Sequence, residues 1–107
     1  MKGECVGLHE VTKLGGAVVF DDLSRLDQSR DVLLGIDDLK EDLFQAYFPF
    51  EQIIDIGWYP EFCESGCFRV LLVSGCNWDS PTCSTEAKSW AELEDALIDT
   101  LKQVKVA

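Results

Sequence analysis

The sequence predicts one α+β domain of two layers, an antiparallel β-meander packed against helices in the rough order α-α-β-β-β-α. Three observations lead there. Helical spacing runs through residues 30–48, strand alternation and apolar runs fill residues 52–87, and a capped amphipathic helix closes the chain. A chain of 107 residues suits a single domain, 1–107, and removes roughly two thirds of its unfolded surface from water.

Residues 1–20 are ambiguous. Val6, Leu8 and Val11 alternate weakly, and Gly15-Gly16 reads as a turn before Ala17-Val18-Val19-Phe20, so two short strands or a helix over residues 4–14 both fit. Asp21 or Asp22 is a suitable N-cap for a short helix that places Leu23 and Leu26 on one face. From Arg30 to Phe48, Val32, Ile36, Leu39, Leu43 and Tyr47 recur at spacings of four, three, four and four, and Leu33 and Phe44 widen the stripe. Gly35 inside that helix marks a bend or a close contact, and Pro49 ends the helix by disfavouring the α conformation at Phe48.

Gln52–Pro60 alternates as a strand, with Ile54, Ile56 and Trp58 on one side and Ile53, Asp55, Gly57 and Tyr59 on the other. Pairing is expected to stop at Pro60, which has no N–H to donate. A turn at Glu64-Ser65-Gly66 leads into Cys67–Ser74, the most apolar strand and hence a central one. A loop with Trp78 and a third, weaker strand over Thr82–Ala87 follow. Ser89-Trp90-Ala91-Glu92 fits a capping box, in which each side chain satisfies the other's backbone N–H, and Leu93, Leu97, Ile98 and Leu101 form the buried stripe.

The formal net charge is −11, from 20 acidic and 9 basic residues. Folding requires no such surplus; it serves solubility or a basic partner. There is no Lys/Arg cluster to displace counterions from phosphates, which argues against nucleic acid and against a membrane surface. No apolar run approaches the roughly 20 residues of a spanning helix. Met1-Lys2-Gly3-Glu4 lacks the apolar core of a secretory signal, so the expected compartment is the cytosol. Five cysteines, an odd count, suit free thiols there.

Catalytic and cofactor motifs are not found. The single histidine, His9, has no nucleophile motif beside it, Gly15-Gly16 lacks the Lys of a phosphate loop, and the many carboxylates single out no acid/base pair. The expectation is a protein that is not an enzyme and holds no cofactor. Cys63, Cys67, Cys76 and Cys83 could together hold zinc, but the usual two-residue knuckle spacing is missing and small buried hydrophobes account for them equally well.

The acids of the predicted helix, Asp37 to Asp42, read as a solvated face or as a binding patch through Asp38 and Asp42. Trp58, Tyr59, Glu61, Phe62 and Glu64 cluster at a strand end, and Trp78 and Asp79 lie in the next loop. Aromatics beside carboxylates suit a hot spot for a Lys/Arg-rich partner, although at least one tryptophan is expected in the core. The partner-facing set is therefore Trp58, Tyr59, Glu61, Glu64 and Asp79, with Asp38 and Asp42 as a second patch. Alternate connections of a meander fall at opposite sheet ends, so these need not be one surface.

The segment Ile54-Asp55-Ile56-Gly57-Trp58-Tyr59-Pro60-Glu61, followed by an apolar strand, Asn77-Trp78-Asp79-x-Pro81 and a Ser-capped helix rich in Leu and Glu, resembles bacterial immunity proteins. These are the acidic antidotes of contact-dependent growth inhibition and related polymorphic toxin systems. The likeness is one of layout over roughly residues 30–104. It implies a cognate toxin domain, often a basic nuclease, occluded in the cytosol by a monomeric inhibitor in a one-to-one complex. The alternative is a non-enzymatic adaptor, homodimeric through an exposed sheet edge.

Overall fold

Alternating side chains along the middle of the chain build one sheet, and the main core lies against one of its faces. The computed structural model describes residues 8–26, 28–29 and 31–105. Cys5, Val6 and Arg30, on which parts of the sequence reading rest, lie outside these residues, as do the side chains of Leu8 and His9. Along the described chain run helix α1 (Leu8–Lys13), strand β1 (Ala17–Asp21), two 3-10 segments (Leu23–Arg25 and Val32–Asp38), strands β2 (Phe44–Phe48), β3 (Gln52–Tyr59), β4 (Cys67–Ser74) and β5 (Cys83–Ala87), and helix α2 (Trp90–Leu101). All strand pairs are antiparallel and adjacent in sequence order, a five-stranded meander, so the α+β class holds with two more strands than expected.

The inner face carries Phe44, Ala46 and Phe48, then Ile54, Ile56 and Trp58, then Phe68, Val70 and Leu72, all buried. Register aligns them: Phe44 opposes Ile56, which opposes Val70. Leu93, Ala96, Leu97 and Leu101 of α2 close over them, with Leu23, Val32, Leu39 and Leu43 from the irregular segments. Each of the larger aliphatic and Phe side chains contributes about 1.5–3 kcal/mol by leaving water, and the alanines less.

The predicted helix over residues 30–48 does not form. Gly35 takes φ −112°, ψ 29°, so the chain turns as a kinked 3-10 segment that ends at Asp38. Val32, Leu39 and Leu43 still reach the core, but Leu33 is exposed and Tyr47 points outward. Residues 44–48 carry a second period, of two, and the aromatics that suit it. Pairing with β3 settles the conflict, because β3 would otherwise leave one edge of buried backbone donors and acceptors unmet.

Two smaller corrections concern α2. Its buried stripe is Leu93, Ala96, Leu97, Thr100 and Leu101, while Ile98 is exposed. Thr100 is buried without cost to its hydroxyl, which donates to the Ala96 carbonyl at 2.8 Å. Ser89 caps the helix by accepting from Glu92 N at 3.1 Å, but Glu92 accepts from Lys88 N at 2.9 Å rather than from Ser89. Near the N-terminal end, Asp21 rather than Asp22 supplies the cap, accepting from Ser24 N at 2.9 Å. Gln52 ties the C-terminal segment to the sheet: it donates to the Lys105 carbonyl and accepts from Lys105 N, each at 2.8 Å.

Candidate protein-binding surface

At the sheet end that carries Tyr59 and Cys67, the β3–β4 connection meets the segment that leads into β2. The Phe62 amide donates to the Leu39 carbonyl at 2.8 Å, and the Trp58 amide to the Lys40 carbonyl at 2.8 Å. These bonds bring Glu61 and Glu64 to the same sheet end as Asp38, Glu41 and Asp42, so the two expected patches share one end of the molecule. All five carboxylates are exposed. Phe62, at φ 59°, is nearly half exposed beside them, and Tyr59 is half-buried with the Arg69 guanidinium 4.9 Å from its ring centroid.

The acids outnumber their counter-charges here. Lys40 is held by Asp22 at 2.8 Å, which draws the Asp22 carboxyl below its ordinary range, and Arg69 reaches Glu86 at 3.7 Å. Surface pairs of this kind fix side chains more than they stabilise.

Trp58 leaves the expected contact set. It is 1 % exposed, packs edge-on against Phe68 at 5.0 Å and donates from Nε1 to the Cys63 carbonyl at 2.8 Å. Its role is to anchor the 60–66 loop from beneath. Asp79 and Trp78 lie at the opposite sheet end, with exposed Phe50 and Glu51, because β4–β5 and β2–β3 connect there. Cys63 and Cys67 are likewise separated by the length of β4 from Cys76 and Cys83, which rules out the four-thiolate arrangement. Among the described residues no group of three or more His, Cys, Asp or Glu is placed to hold a metal ion. No helix of the described residues is long and apolar enough to cross a membrane.

Glu41, Phe62 and Asp55 were missing from the expected set. Glu41 sat among the solvated-face acids, and only the fold of residues 39–43 brings it over β3. Asp55 was legible, since the strand alternation already put it on the face opposite Trp58. That face is the sheet's outer one, shared with Gln45, Tyr47, Gly57, Tyr59 and Arg69. Asp55 is 7 % exposed there, accepting from Gln45 Nε2 at 2.9 Å.

No family model, no curated protein and no solved structure matches the chain.

Burial lifts the Asp55 carboxyl above its ordinary 3.8, against the Gln45 hydrogen bond and with a further push from the Asp42 charge. Between 3.8 and the raised value, the native state keeps a proton that the unfolded chain has lost. Stability contributed at Asp55 is present at low pH and declines as pH rises from 3.8 through the raised value. Asp55→Asn removes the charge and keeps an acceptor for Gln45. We expect its thermal midpoint at pH 7 to exceed the wild type's by a few degrees and its slope across the carboxylate range to flatten. A lower midpoint with the slope retained would refute the assignment.

Proposed function

We propose that this protein is a non-catalytic inhibitor of immunity type, which binds a basic toxin domain in the cytosol and covers its active site. The observation that carries the reading is that exposed Asp38, Glu41, Asp42, Glu61 and Glu64 come to the same end of the sheet as exposed Phe62. An apolar centre rimmed by one sign of charge offers desolvated area together with a steering field. A net charge of −11 adds to that field and speeds encounter with a cationic surface. Nuclease sites are basic in order to hold phosphate, and a carboxylate-rich end competes for the same groups. The resemblance in layout to immunity proteins supports the choice of partner.

The test is binding to the product of the gene immediately upstream, with cell survival as a second readout. One-to-one binding should weaken steeply with salt. Glu61→Lys together with Glu64→Lys should lower affinity by about 10- to 100-fold, mostly through the association rate, with the melting transition unchanged. Equal affinity in the double variant would remove this surface from the interface.

One observation favours the adaptor as a second reading. β1 is an edge strand whose Val18, Val19 and Phe20 are 43, 56 and 39 % exposed. Such an edge pairs readily with another strand. A stable homodimer in light scattering, with no affinity for basic domains, would favour it.

A further inference from the structure

On the outer face of the sheet a cleft opens between Phe20 of β1, Phe44 and Gln45 of β2, Asp55 of β3 and the side chain of Asp42. Asp55 is more than nine-tenths buried; its Oδ2 accepts from Gln45, and among the described residues Oδ1 has no bonded partner. No fully buried side-chain oxygen among the described residues lacks a partner, so Oδ1 keeps some exposure, and Asp55 lines the cleft. No Lys or Arg forms an ion pair with Asp55 among the described residues. A carboxylate taken from water without a cation is costly, and sequences keep such groups rarely.

We propose that this cleft is the receptor for one arginine side chain of the basic partner, with Asp55 as its buried anion. The inference rests on the proposed function and gives its interface a specific anchor. A guanidinium fits better than an ammonium for three reasons. Its fork holds five N–H donors, so one can meet Asp55 Oδ1 while the others stay bonded to water or to Asp42. It is the more weakly hydrated cation, so it enters a half-dry cleft at lower cost. Phe20, 39 % exposed at the cleft wall, offers a ring face for it to stack on. Asp42 supplies a second negative charge at the mouth. Desolvation raises the Asp55 carboxyl, and a bound cation would lower it again.

The first experiment titrates N-acetyl-arginine amide into the full chain and follows nuclear magnetic resonance shifts. Saturable shifts centred on the Gln45 side-chain amide and on Phe20, Asp42 and Asp55 are expected. Asp55→Asn, whose fold is checked by its melting transition, should weaken that binding at least tenfold, and Phe20→Ala several-fold. N-acetyl-lysine amide should bind more weakly. Shifts matched by sodium chloride at equal ionic strength, or equal affinity in Asp55→Asn, would overturn the proposal. Binding of the upstream gene's product separates the two claims. If that product binds wild type and Asp55→Asn equally but fails on Glu61→Lys/Glu64→Lys, the anchor falls and the function stands. If arginine amide binds the cleft while the product binds no form of the protein, the function falls and the cleft stands as an arginine site.

Discussion

Trp58→Ala is expected to cost about 3–5 kcal/mol, the usual range for deleting a buried aromatic side chain. Domains of this size hold only about 5–15 kcal/mol, so the variant should be close to unfolding at physiological temperature. Three losses combine. The ring is 1 % exposed and leaves a cavity in the core on the inner face of the sheet. Its edge-on contact with Phe68 disappears. The Cys63 carbonyl loses its Nε1 donor and keeps only the Gly66 amide, so the 60–66 loop that carries Glu61 and Glu64 loses one of its ties. Trp58→Phe separates these terms: it keeps most of the packing and removes only the donor, for about 1–3 kcal/mol. Urea titration followed by circular dichroism would measure both. A loss under about 1 kcal/mol for Trp58→Ala would return the ring to the surface and to the contact set.

Gly57→Ala should be nearly as damaging, although it adds one methyl group. A Cβ at Gly57 would stand 1.8 Å from the Glu41 carbonyl oxygen and 2.6 Å from its carbon. The obstacle is backbone, which cannot rotate away, so residues 40–43 must lift off the sheet. That movement breaks the Trp58 amide bond to the Lys40 carbonyl and displaces Glu41 and Asp42 from the acidic surface. The expected cost is about 3 kcal/mol, at the upper end of overpacking effects. Partner affinity should fall too. Gly35→Ala is the matched control: nothing lies within 4 Å of its added Cβ and φ is −112°, so thermal denaturation should show little change. Equal melting temperatures for the two variants would contradict the close approach of Glu41 to β3.

The contrast between these glycines shows where local reading loses its grip. Gly35 interrupts a helical stripe in sequence, and in the structure it forms the kink of a 3-10 segment with nothing within 4 Å of an added Cβ. Gly57 looked like an ordinary strand residue, and its missing side chain is what lets a second segment lie across β3. The stripe at Val32, Leu39 and Leu43 was right about burial and wrong about conformation, because a period near 3.6 and a turn-rich path can bury the same residues. Phe44, Ala46 and Phe48 carried the competing period of two, too short to outweigh the longer pattern without a partner strand in view.

The candidate surface divides in the same way. Tyr59, Glu61 and Glu64 were legible because they are neighbours in sequence at the end of a well-patterned strand. That they share a sheet end with Asp38 and Asp42, and that Asp79 lies at the other, depended on how the connections of the meander alternate.

The α+β class, strands β3 to β5, the Ser89-capped helix, the acidic character of the surface and the side of β3 on which Asp55 stands can all be read from the residues in order. They follow from periodicity, capping chemistry and charge, which act between residues a few positions apart. That residues 44–48 are a strand, that Trp58 is core, and that Asp55 is a buried carboxylate lining a cleft emerge only when the elements pack. Those outcomes turn on backbone donors finding acceptors across the sheet and on which side chains lose water together, and neither is set by near neighbours.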